Sequence, residues 1–77
     1  MLTLKDLKPG DRGRIVDCLG NGPVFQRLCE MGFVGGARLR VVRYAPFGDP
    51  IQVAIGSQHL SLRKAEASLV RIEREIS

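Results

Sequence analysis

NGPVFQRLCEMGFVGGARLRV, residues 21–41, carries the change of rhythm that decides the fold. Asn21-Gly22-Pro23 opens a helix, with a small or polar cap and then a proline where its missing N–H costs nothing. Val24, Phe25, Leu28 and Met31 recur at helical spacing as one apolar stripe, and Gln26, Arg27 and Glu30 make the wet face. Gly32, just past Met31, is the expected left-handed stop. The helix is about two and a half turns, too short to be stable without packing. After Gly35-Gly36 the period falls to two. Ala37-Arg38-Leu39-Arg40-Val41 alternates strictly, so Leu39 and Val41 point inward while Arg38 and Arg40 point out together.

The flanks extend this pattern. Leu2, Leu4 and Leu7 form a short apolar entry closed by Pro9-Gly10, and Arg12 to Leu19 reads as a first strand centred on Ile15 and Val16. Ala45-Pro46-Phe47-Gly48-Asp49-Pro50 is a loop, since its prolines cannot donate to a ladder. Ile51, Val53 and Ile55 form the inner face of the next strand, and Gly56-Ser57 a hairpin turn. Leu60 and Leu62 follow, with His59, Ser61 and Arg63 outward; Lys64 to Ser68 is a helical turn, and Val70 and Ile72 a last short strand. The expectation is a mainly β protein of about five strands, with one short helix after the first strand and a helical turn before the last. A flat sheet of that size leaves two edges and a bare face, so a small SH3-like barrel is the economical solution. The competing OB-fold places its helix between the third and fourth strands.

Length bounds the rest. The 77 residues make one small domain, residues 1–77. A chain of this size buries roughly 60% of its unfolded surface, so its core is thin. The longest apolar run is Val53-Ala54-Ile55, far from the roughly 20 residues of a membrane span. Met1 to Asp6 lacks a basic region followed by an apolar stretch, so no signal peptide is expected and the cytoplasm is the default location. The net charge is +4, and nine of the twelve cations are arginine, whose planar fork suits carboxylate and phosphate. An acidic protein, a phosphate group or a nucleic acid is therefore a candidate partner, beside the plainer reading of a solubilising surplus. Cys18 and Cys29 have zinc-knuckle spacing no more than redox-pair spacing and read as free thiols.

Catalytic chemistry is thinly represented. No phosphate-cradling Gly-x-x-x-x-Gly-Lys-Ser/Thr segment occurs. His59, the one histidine, lies between Ser57 and Ser61 on the same side of one strand, without an orienting acid nearby. A metal site would have to join His59, Cys18 and Cys29 from three separate elements. Neither an enzyme nor a resident cofactor or metal is expected. Binding features are stronger. Phe47 stands at the tip of a proline-braced loop, where it either marks a partner contact or folds back over the barrel mouth. Phe33 reads first as a core residue. Arg38 and Arg40 either grip an anion or form a solvated face. Nucleic-acid binding calls for aromatics among those arginines, and Tyr44 alone is near.

Three segments, Arg27-Leu28-Cys29-Glu30-Met31-Gly32-Phe33 with Gly36, Ala45-Pro46-Phe47-Gly48-Asp49-Pro50-Ile51, and Leu60-Ser61-Leu62-Arg63-Lys64 with Glu66-Ala67, together resemble the FeoA family. The match runs in order from about Leu4 to Ile72. The resemblance implies an SH3-like barrel with an inserted helix. It also implies an accessory of the bacterial ferrous iron transporter FeoB, acting at that membrane protein's cytosolic, GTPase-bearing part. Membrane association would come only through that partner; no nucleic-acid partner is expected, and self-association through a barrel edge or the Phe47 loop stays open. The barrel also resembles the C-terminal domain of iron-dependent repressors, whose upstream DNA-binding domain is not found in these 77 residues. The docking surface expected from these signatures comprises Arg27, Glu30, Met31, Phe33, Arg38, Arg40, Phe47 and Asp49. Gly35 departs from the family, which often has proline there, and leads to the expectation of a looser loop. The rival functions are a basic nucleic-acid-binding module and an iron-responsive metal-binding regulator.

Overall fold

The computed structural model describes residues 2–75. Its elements are β1 (Arg12–Cys18), α1 (Gly22–Glu30), β2 (Arg38–Tyr44), β3 (Ile51–Ile55), β4 (Gln58–Leu62), α2 (Lys64–Ala67) and β5 (Val70–Glu75), preceded by a 3-10 turn at Leu4–Asp6. The five strands form one antiparallel sheet in the order β4-β3-β2-β1-β5. The elements thus follow the sequence pattern closely, because each apolar period change coincides with a turn residue.

The sheet does not close into the expected barrel: β4 and β5 are its two edges and share no ladder. The amino-terminal segment takes the place of a β4–β5 ladder. The Leu4–Asp6 turn lies against both α2 and β5. The Leu2 carbonyl accepts the Ile72 N–H at 3.0 Å, and Thr3 bridges Arg71, so the amino-terminal segment covers part of the β5 edge. Leu4 and Leu7, at the turn, are fully buried beside Ile15, Leu28, Phe33, Val41, Ile51, Val53 and Val70.

Helix α1 buries one side only. Leu28 is in the core and Met31 packs against it, but Val24 is 44% exposed and so leaves the predicted stripe. Full burial on α1 comes from its last turn, at Leu28. Gly32 takes φ +104°, which ends the helix and lets the Phe33 N–H reach the Leu28 carbonyl at 3.0 Å. The loop that follows is not loose. Gly36 donates to the Ile15 carbonyl and Ile15 to the Ala37 carbonyl, both at 2.8 Å. A Cβ on Gly35 would come within 2.8 Å of the Val16 carbonyl oxygen, so the chain passes too close to β1 for a larger residue.

A second close approach sits inside the sheet. Gly13 faces the core, and a Cβ there would meet the Ile72 side chain at 2.5 Å and the Glu73 carbonyl at 3.2 Å. β1 and β2 each carry a register shift, between Ile15 and Asp17 and between Val41 and Arg43. Such bulges bend the sheet while keeping Tyr44 and Ile51 on the inner face and Arg43 and Gln52 on the outer one. The inward Tyr44 hydroxyl donates to the Leu7 carbonyl.

Two stability predictions follow from this packing. Phe33→Ala is expected to lower unfolding free energy by about 3–5 kcal/mol, whereas Val24→Ser stays within about 0.5 kcal/mol, both read from urea titrations. Acid sensitivity is the second. The Arg71 guanidinium, bonded to both carboxylate oxygens of Asp17, holds Asp17 below the usual carboxylate range, and the Thr3 N–H does the same for Asp6. Depressed folded values contribute stability that is complete above about pH 4 and is lost as pH falls through them. Asp17→Asn should therefore flatten the acid limb of a Tm-against-pH curve relative to the unmodified chain.

Candidate functional site

The residues named from sequence separate into three places. Phe33 is fully buried, so it is removed from the contact set; its ring fills the core and its carbonyl accepts the Cys18 thiol at 3.0 Å. Burial first, then the neighbouring Cys29 and Asp17, pushes the Cys18 thiol up, which keeps it protonated and poorly nucleophilic. Met31 is half-buried against the core and offers only part of its side chain.

Arg27, Phe47 and Asp49 gather at one end of the molecule through α2. The β2–β3 loop is closed by the Gly48 N–H to the Ala45 carbonyl at 2.7 Å and the Ala45 N–H to the Pro50 carbonyl at 2.9 Å. Asp49 Oδ1 accepts the Lys64 N–H, the first of α2, at 2.9 Å. Glu66 in turn accepts the Arg63 N–H at 3.0 Å and pairs with Arg27 of α1. Loop, helical turn and helix are thereby joined, and Glu30 is exposed one turn from Arg27. Phe47 does not fold back: it is 99% exposed at the tip of this fastened loop. A rigid, fully hydrated ring is costly to display, and burying it is worth about 1.5–3 kcal/mol to whatever covers it.

Arg38 and Arg40 lie elsewhere, on the outer face of β2 near the far end of the β2–β3 hairpin from Phe47. They have company that sequence reasoning did not supply. Arg12 is directly opposite Arg40, and Arg14 opposite Arg38. Which residue faces Arg12 depends on the β1–β2 register, for which the sequence holds no signal.

The residues weighed for chemistry do not assemble. Ser57 lies in the hairpin turn instead of on the strand, while His59 and Ser61 are exposed on the outer face of β4. Among the described residues no group of three or more His, Cys, Asp or Glu side chains is placed to hold a metal ion. Also among the described residues, no helix is long and apolar enough to cross a membrane.

A small antiparallel sheet with one helix inserted after its first strand, an exposed loop aromatic and an arginine-lined outer face defines an SH3-like β module. Residues 2–74 match the FeoA domain, and the chain belongs to that family. It is 38% identical over 72 residues to the Fe(2+) transport protein A/Fe(2+) transporter FeoB fusion protein of Porphyromonas gingivalis, covering 94% of this chain and 8% of that protein. The solution structure of iron(II) transport protein A from Clostridium thermocellum superposes with a TM-score of 0.90 at 40% identity, covering 95% of this chain and 45% of that one. The crystal structure of Stenotrophomonas maltophilia FeoA complexed with zinc, described as a procaryotic SH3 domain protein, gives a TM-score of 0.83 at 30% identity, covering 95% and 91%. The chain thus spans less than half the length of the first two of these relatives.

Asp49 has a structural duty in the loop signature, as acceptor for the first N–H of α2. Asp49→Ala is expected to cost about 1 kcal/mol in urea unfolding, the usual loss when a helix's first N–H loses its acceptor. Amide exchange at Lys64 should quicken in the same variant.

Proposed function

We propose that this chain is an accessory of bacterial ferrous iron uptake that is not itself an enzyme. In this reading it works in the cytoplasm by docking on the cytosolic, GTPase-bearing part of a FeoB-type transporter. It reaches the membrane only through that partner. The observation that carries the reading is Phe47, fully exposed on a loop that is braced from both ends. An exposed ring on a rigid support loses little entropy on binding, which is the design of an interface anchor. The fusion of a FeoA-like segment with a FeoB transporter in Porphyromonas gingivalis supports the choice of partner, because a shared polypeptide keeps the two in permanent proximity.

In this reading Arg27 and Asp49, both linked to α2, and Glu30, one turn from Arg27, supply the polar contacts that accompany the anchor, and the exposed part of Met31 adds apolar area. Rim charges of this kind steer approach and register more than they add affinity. Binding of the whole chain to the cytosolic region of a FeoB-type transporter is the direct test, with GTP hydrolysis followed alongside. Phe47→Ala is expected to weaken that binding about tenfold or more while leaving the far-UV spectrum and Tm unchanged. Undiminished binding by a folded Phe47→Ala variant would sink the proposed anchor.

A further inference from the structure

The outer sheet face holds a second feature far from Phe47. Arg12, Arg38 and Arg40 rim an open groove of about 320 Å³ that is floored by Ala54 and Gly56 and bounded on one side by Glu75. The floor is low because β3 and its turn contribute only a methyl group and a bare backbone there. Arg40 sits between Ala54 and Arg12 across the sheet, so its guanidinium has space on one side and a like charge on the other.

The charges in this groove are poorly matched. Elsewhere Arg14 pairs with Glu73, Arg27 with Glu66, Arg71 with Asp17 and Arg74 with Asp11. Among the described residues, Arg12 and Arg40 form no ion pair, although Glu75 is the cross-strand neighbour of Arg12. Arg38 shares Glu75 at 3.4 Å with its side chain still 76% exposed. Like charges directly opposite on neighbouring strands are destabilising. Glu75 stands across from Arg12 on β5 and its carboxylate lies at 3.4 Å from Arg38, so one carboxylate is shared among three guanidinium groups and the Arg12–Arg40 repulsion is only partly offset. An anion placed over them would offset the rest.

We propose that this groove binds an acidic segment of a partner protein, one whose carboxylates alternate along an extended strand. The proposal deepens the docking reading and rests on it. The spacing selects the ligand. Arg38 and Arg40 are two residues apart on β2, so their stems are about 7 Å apart, the distance between alternate side chains of an extended peptide. Each guanidinium accepts a carboxylate as a two-pronged fork. The strand N–H groups beneath are committed to the sheet ladders, which leaves only side-chain forks as donors, an arrangement better suited to separate carboxylates than to one compact phosphate. A single-stranded nucleic acid would need rings to stack on. No aromatic side chain lines the groove; Tyr44 is turned inward to Leu7, and Phe47 is at the other end of the hairpin.

The test titrates the ¹⁵N-labelled full chain with the peptide acetyl-(Glu-Ser)₃-amide at about 50 mM salt, where exposed charges are weakly screened. Amide shifts are expected at Arg12, Arg38 to Arg40 and Ala54 to Gly56, and not with the Gln-Ser counterpart. Arg12→Gln and Arg40→Gln should each weaken the binding about tenfold, whereas Arg43→Gln, whose side chain bonds Gln52 outside the groove, should not. Arg40→Gln should also hold or raise the Tm of the free protein, since it removes a cross-strand repulsion. The proposal is overturned by shifts scattered over the surface, by an equal loss in Arg43→Gln, or by a fall in the Tm of Arg40→Gln. Oligothymidylate of matching charge that produces the same shifts more strongly also overturns it, in favour of nucleic acid. No transporter enters this titration, so its failure is distinguishable from failure of the Phe47 anchor.

Discussion

Phe33 is the joint on which the structure depends. Its ring lies wholly inside, its N–H closes the end of α1 on Leu28, and its carbonyl takes the Cys18 thiol at the end of β1. One residue thus ties the helix to the sheet and supplies the largest buried side chain of a thin core. A helix of nine residues has no independent stability, so α1 stays in place only because its last turn is held this way. Gly32 makes the arrangement possible by turning the chain where a side chain would be strained.

With α1 so held, Arg27 reaches Glu66 and the helix is connected through α2 to the loop that carries Phe47. The exposed ring is therefore backed by hydrogen bonds and an ion pair instead of by packing of its own. That division of labour suits a very small protein. Its buried apolar residues fill the interior, and the exposed Phe47 loop is positioned by polar links at the periphery.

Much of this was legible in the residues. The change from helical spacing at Val24–Met31 to alternation at Ala37–Val41 placed α1 and β2, and the proline loop and Gly56-Ser57 bounded β3. Some expectations failed for reasons outside any local pattern, among them the looser loop at Gly35, which instead lies close against β1. Val24 belongs to the apolar stripe by spacing, yet it stays exposed while Leu28 takes the core position. Closure of the barrel was inferred from the cost of open edges, and the molecule meets that cost with Leu2, Thr3 and the turn at Leu4–Asp6. Phe33 was ambiguous between core and surface, because a residue just past a helix stop can turn either way.

The sequence by itself determined the class of fold, the order of its elements and the inward or outward sense of the alternating residues in β2, β3 and β4, since these follow from periods of a few residues. It also identified the family, through short motifs kept in order. Only the tertiary structure decided who stands beside whom: Arg12 against Arg40, Gly13 against Ile72, Asp49 under α2. Those neighbours come from register and from the path of the chain between strands, and both are set by the packing of the whole core, which no local stretch contains.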